Sequence, residues 1–220
     1  FVIAMSVKYW GDSASQPCRT IEYILKKLNI DHEYNYAQLF VVTRSEEFKK
    51  NVNPRGYIPV VEVDGQKLYE SATQARYLLD SFDPNETLLP RSDLKERAKV
   101  DSLLDWNNTT VRPTLTGQLR KIVFSVMFGG PEPSDEEKKA EMDKTNALYA
   151  EMEEILGQHT YLANDNLTIA DVQIYNEVVL STAILKYDHS AFPNVERWTK
   201  QMVEDPVITE LNEAMFKRLE

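Results

Sequence analysis

The sequence predicts an α/β domain over residues 5–83 followed by an all-α domain over residues 93–220. Three observations carry this reading. Residues 6–82 alternate strand-like and helix-like stretches in the order β-α-β-α-β-β-α. The stretch "DPNETLLPRSD" (83–93) then supplies two prolines and several turn formers, the composition of a linker. Beyond it, almost every apolar pattern has the 3.6-residue period of helices.

Val7-Lys8-Tyr9-Trp10 reads as a short strand, and residues 19–28 as an amphipathic helix with Ile21, Ile24, Leu25 and Leu28 on one face. Residues 32–39 form a weaker strand pattern and 45–51 a short helix. Residues 58–63 are a compact β-branched strand, and Asp64-Gly65 is a two-residue hairpin signal leading into 67–69. Glu70-Ser71 opens a helix to about Phe82. The second domain is expected to carry helices over 94–108, 111–127, 135–157, 169–187, 195–204 and 207–219, with Pro131 and Pro133 separating the second from the third. Thr168-Ile-Ala-Asp171 is a capping box ahead of an apolar run.

The 220 residues suit one large core or two modest ones. A hydrophobic share of 42% and a charged share of 27% are those of an ordinary globular protein. The net charge of −10 argues against nucleic acid or an anionic membrane as main partner. A single cysteine forms no internal disulfide, and no cysteine–histidine cluster offers a metal site. Neither a metal nor another resident cofactor is expected. No apolar run approaches the roughly 18 residues that span a bilayer, and the first residues lack a signal-peptide pattern. Met5 is compatible with a natural start, so residues 1–4 are set aside from fold reasoning. A cytoplasmic location fits these features.

"SASQPCR" (13–19) lies where the first strand turns into the first helix. A helix N-terminus gathers unpaired N–H groups and partial positive charge, which favour a thiolate there. Thiol–disulfide oxidoreductases place two cysteines three positions apart at such a turn. Here the first position is Ser15 and the second is Cys18. A serine does not attack a disulfide, but its hydroxyl can donate to a sulfur that arrives from outside. Cys18, a turn further along, reads as a small buried apolar residue; Ser15 alone would read equally as a plain N-cap. In "NPRGYIPVV", a cis peptide before Pro59 would turn the backbone of Ile58 toward an extended peptide, whereas a trans proline would merely start a strand. Glu70 can accept from an ammonium group, while Ser71 caps the following helix and its free amides receive a carboxylate. Together the pair reads an amino-acid head group, or equally a capping serine beside a solvated glutamate.

Those motifs, in this order, resemble the cytosolic glutathione S-transferases, and Ser15-Gln16-Pro17-Cys18-Arg19 is similar to the theta class. "WNNTTVRP", "KIVFSVMFGGPEPS" and "LTIADVQIY" carry the resemblance through the second half. It implies a thioredoxin-like first domain that binds glutathione and a helical second domain that supplies most of the electrophile pocket. It also implies that Ser15 donates to the glutathione sulfur, that Glu70 and Ser71 bind the γ-glutamyl end, and that Ile58 with Pro59 pairs with the cysteinyl part. Arg44 falls near the position that meets the glycine carboxylate, and Arg112 matches a theta arginine close to glutathione. The strand-to-helix segment is one residue longer than usual, so Ser13 is an alternative to Ser15. Tyr9 resembles the catalytic tyrosine of other classes but stands at the wrong distance from Cys18.

The implied function is transfer of glutathione thiolate to small electrophiles, with a homodimer as the assembly. Gln74, Tyr77, Leu78 and the 94–108 helix are the candidate subunit contact. The alternative is a non-catalytic binding or structural protein on the same fold. A thiol transferase using Cys18 is a third reading, disfavoured by the serine at the exposed position.

Overall fold

The computed structural model describes residues 5–219. They fall into two units by contact: the chain up to Arg91 together with the segment from Glu204, and Ser92–Val203. The sequence division placed residues 204–220 with the helical half. Their packing places them with the sheet.

In the first unit, β1 (Val7–Gly11) leads into α1 (Gln16–Lys27), β2 (Glu33–Tyr36), a 3-10 turn (Val42–Arg44) and α2 (Glu46–Asn51). β3 (Val60–Val63), β4 (Gln66–Leu68) and α3 (Ser71–Phe82) follow. The sheet order is β2-β1-β3-β4, with β2 parallel to β1 and the other neighbours antiparallel. Asp64 and Gly65 both adopt positive φ, the conformation that a two-residue hairpin requires and that the Asp-Gly pair supplies. The Asp64 side chain also accepts from the Ser6 amide at 2.8 Å. Cys18, Ile21, Ile24 and Leu25 bury one face of α1, leaving Lys26 and Lys27 outside. Each such apolar side chain contributes about 1.5–3 kcal/mol by leaving water. The last helix, α10 (Pro206–Leu219), lies on α1. Tyr23 Oη donates to Asp205 at 2.8 Å, and Lys26 pairs with Glu210 at 2.9 Å.

The second unit begins with a long helical run in place of the two helices predicted. α4 (Leu94–Trp106), a π turn (Asn107–Val111), α5 (Arg112–Leu119), a second π turn (Arg120–Phe124) and α6 (Ser125–Met127) follow without a break. Pro113 has no N–H for the ladder and crowds the carbonyl four residues back. The wider π turn just ahead of it absorbs that defect, so the helix continues. α7 (Asp135–Leu156) starts on a capping box of Ser134 and Glu137. α8 (Ile169–Leu185) and α9 (Pro193–Met202) complete the unit. Asp171, fully buried, ties them together. Its carboxylate accepts from Thr168 N (3.0 Å), Thr168 Oγ1 (2.8 Å), Leu162 N (2.8 Å) and Trp198 Nε1 (3.2 Å).

Candidate functional site

Strand direction gathers the site. Gly11 pairs with Tyr36, Trp10 with Val60, and Val61 with Leu68. The outgoing ends of β1, β2 and β4 and the incoming end of β3 therefore share one edge of the sheet. From that edge spring the Ser15 turn, the loop to Arg44, the Ile58-Pro59 approach and the Glu70-Ser71 helix start. Ile58, Pro59, Glu70, Ser71 and both candidate serines thus stand next to strand ends at that edge, whereas Arg44 lies further out, at the end of the 3-10 turn that follows β2.

The Ser15 turn is held from below by Asp12, which the sequence reading did not single out. Asp12 is buried, and its carboxylate accepts from Ala14 N at 3.1 Å and Leu39 N at 3.0 Å. Arg218 of α10 reaches the same carboxylate at 3.4 Å. Burial alone would raise this carboxyl, but the Leu39 and Ala14 amides and Arg218 hold it below its usual range. The Asp12 carbonyl also takes the Ser15 amide at 2.9 Å. An Asp accepting from the amide two residues on is a recognisable turn signature. Arg218, more than 200 positions away in the chain, leaves no local signal.

Ser15 has the extended N-cap backbone (φ −87°, ψ 124°), yet its hydroxyl makes no cap bond to the helix. Cys18 is fully buried, and burial pushes its thiol up to about 12 even with the Ser15 hydroxyl beside it. At neutral pH it is no nucleophile. Tyr9 is also fully buried, with its hydroxyl donating to Glu22 Oε1 at 2.9 Å and to the Cys18 carbonyl at 3.2 Å. A Cβ on Gly11 would lie 1.9 Å from that hydroxyl, so glycine is required there by close approach. Burial raises the Tyr9 phenol well above its ordinary value, which leaves it a structural residue.

The Ile58-Pro59 peptide is cis. The buried Gln74 side chain bridges the two neighbouring strands, donating to Pro59 O and Leu68 O at 2.9 Å each. Gln74 and Leu78 are core residues of their own unit, which removes them from the expected subunit contact; Tyr77 is 37% exposed. Glu70 occupies φ +65°, ψ 113°, a conformation that costs an L residue energy and recurs where a side chain must be aimed. Its exposed carboxylate pairs with Arg55 at 2.8 Å. No side chain caps α3, and Ser71 is the first helical residue, not the cap that the sequence suggested. Arg44 is exposed, its guanidinium over the Phe40 ring at 5.2 Å.

Arg112 belongs to the second unit. There its guanidinium is bonded to the buried Glu177, whose other oxygen accepts from Thr116 Oγ1 at 2.6 Å. Among the described residues no group of His, Cys, Asp and Glu is arranged to hold a metal ion. No helix of the described residues is long and apolar enough to cross a membrane.

A four-stranded sheet of order β2-β1-β3-β4 with a cis-proline ahead of β3, followed by a helical unit, is a thioredoxin-like architecture with an appended all-α unit. Residues 11–86 match the glutathione S-transferase N-terminal domain and residues 118–206 its C-terminal domain. The chain belongs to the glutathione S-transferase family, and it is theta-like. It is 27% identical to a dichloromethane dehalogenase of Methylorubrum extorquens, over 92% of this chain and 73% of that protein. With human glutathione S-transferase theta-1 it shares 25% identity over 97% of this chain and 90% of that one. The solved structure of an epsilon-class transferase from the housefly, Musca domestica, is 30% identical. It superposes with a TM-score of 0.82 over 97% of this chain and 95% of its own.

Proposed function

We propose that this glutathione transferase activates glutathione through the Ser15 hydroxyl and transfers its sulfur to small electrophiles. The observation that carries the reading is the convergence of Ser15, Ile58-Pro59 and Glu70-Ser71 on one sheet edge. Glu70 accepts from the γ-glutamyl ammonium, and the uncapped amides at the start of α3 receive the adjoining carboxylate. Arg44 faces the glycine carboxylate. Ile58 offers its backbone to the cysteinyl part. Arg112 is assigned to glutathione by sequence position only.

A free thiol of pKa about 8.5 is only a few per cent ionised at pH 7. Lowering it by about two units requires about 2.7 kcal/mol of differential stabilisation. A hydroxyl hydrogen bond to the thiolate and a helix N-terminus together supply energy of that order. The thiol proton passes to solvent, and the thiolate attacks an electrophilic carbon. A C–S bond forms as a C–halide or C–O(sulfate) bond breaks, the electron pair leaving with the halide or sulfate; in addition to an activated alkene the π bond breaks instead, and the carbanion formed takes a proton from solvent. A cytoplasmic, homodimeric protein is the proposed working form, and light scattering that gives a particle near 25 kDa would remove the dimer.

The test is retention on immobilised glutathione followed by turnover assays over halide, sulfate-ester and peroxide substrates. Retention with turnover of at least one class supports the reading. Retention without any turnover would favour the non-catalytic alternative, and the absence of both would overturn glutathione binding itself.

A further inference from the structure

Glu22 stands half-way along α1 on a face that otherwise enters the core, and the chemistry at Ser15 does not use it. One carboxylate oxygen accepts from Tyr9 Oη at 2.9 Å. The other accepts no hydrogen bond among the described residues. Glu22 lines a cavity of about 340 Å³ between α1, the β2 side of the sheet and α10, within the size range of small-ligand sites.

The walls specify a ligand. Leu25 of α1 and Leu211 and Ala214 of α10 give an apolar side. Tyr34 gives an aromatic one, stacked on Tyr9 with ring centroids 5.7 Å apart and itself 52% exposed. The one lysine at the cavity, Lys26, is already paired with Glu210 at 2.9 Å. Among the described residues Glu22 has no ion-pair partner of its own; it sits in a partly buried place with the Tyr9 hydroxyl on one oxygen and His32 also in the cavity lining. Burial holds its carboxyl above the usual range, and the pull of Arg19 and Lys26 does not offset it. Such a group gains most from a cation that brings its own apolar cover. An exposed tyrosine face beside it suits the same ligand through cation–π attraction.

We infer that this α1–α10 cavity, whose lining includes Ser13 at the edge of the Ser15 turn, is a second binding site for a small organic cation: a protonated amine or amidinium on a flat or apolar body. The ammonium meets the free oxygen of Glu22, and the body lies between Tyr34 and the Leu211–Ala214 side of α10. An anion of the same shape is excluded by Glu22 and Glu210.

Calorimetric titration with tyramine tests this directly, with 4-hydroxyphenylacetate as the anionic counterpart. Tyramine should bind, the anion should not, and saturating glutathione should leave the tyramine affinity unchanged. Glu22→Gln keeps the shape and the acceptor for Tyr9 but removes the charge, and should weaken tyramine at least tenfold. Ala214→Trp fills the cavity from the α10 side and should abolish binding with the glutathione affinity retained; it serves also if Glu22→Gln fails to fold. No binding of tyramine, equal affinity in Glu22→Gln, retained affinity in Ala214→Trp or displacement by glutathione would each overturn the inference.

Discussion

Two helix starts in this molecule use similar residues to opposite ends. At α8, Thr168 and Asp171 close on each other, and the Asp171 carboxylate also takes the Leu162 amide and the Trp198 indole N–H. No bonding capacity of that cap is left for anything outside the fold. At α1, Ser15 stands in cap geometry but makes no cap bond to the helix amides, with the buried Cys18 thiol beside its hydroxyl. The α3 start is open in the same sense, uncapped and preceded by a strained, exposed glutamate. A saturated helix start is a structural joint. On the proposed reading, an open one at a sheet edge is where glutathione enters.

The largest effect expected from this contrast is on stability at the closed start. Asp171→Ala would leave the Leu162 amide and the Trp198 indole buried without an acceptor, at a cost of about 3 kcal/mol or more. The denaturation midpoint should fall while the glutathione affinity of the folded protein stays unchanged. Equal losses of stability and affinity would break the contrast. At the open start the order reverses. Glu70→Ala removes an exposed side chain whose ion pair with Arg55 contributes little. It should weaken glutathione by about 1–3 kcal/mol, the loss for a hydrogen bond to a charged group. Unchanged calorimetric affinity in both Glu70→Ala and Ser71→Ala would remove that site.

A half-buried carboxylate calibrates the closed end more finely. Burial pushes the Asp205 carboxyl up, but Lys27, Tyr23 and the Val207 amide hold it below the ordinary range. A depressed carboxyl contributes stability above its unfolded pKa of about 4 and loses it as pH falls toward the folded value. Acid should therefore loosen α10 from α1. In urea unfolding across pH, Asp205→Asn should show a flatter loss below about pH 4 than the parent chain; identical acid limbs would contradict this.

What could be read in the sequence was what short stretches decide. The Asp64-Gly65 turn and the Thr168–Asp171 box are local, and each has its expected place. Contacts between distant positions were not legible. The Asp12–Arg218 pairing joins opposite ends of the chain, and α10 joins the sheet unit for the same reason. Gln74 looked like a surface residue because glutamine usually is one; its amide is instead the bridge between β3 and β4. The 94–108 and 111–127 helices were expected as two, whereas a π turn over Asn107–Val111 joins them into one run. The cis peptide at Pro59 was one of two allowed states until the fold selected it.

The central claim is that the open start of α1 serves a sulfur from outside the protein. The most direct measurement is the pKa of glutathione's thiol in the binary complex, read from ultraviolet thiolate absorption across pH. It should be done for the parent chain, Ser15→Ala, Ser13→Ala and Cys18→Ala. Ser15→Ala should raise that pKa by about one unit, the hydroxyl's share beside the helix N-terminus, and cut turnover at neutral pH roughly tenfold, with the deficit closing at high pH. Ser13→Ala should leave the pKa in place. So should Cys18→Ala, since its thiol is buried and pushed up to about 12; its loss should cost only about 1 kcal/mol of stability. A bound-thiol pKa that ignores Ser15→Ala, together with activity lost in Cys18→Ala, would contradict the account.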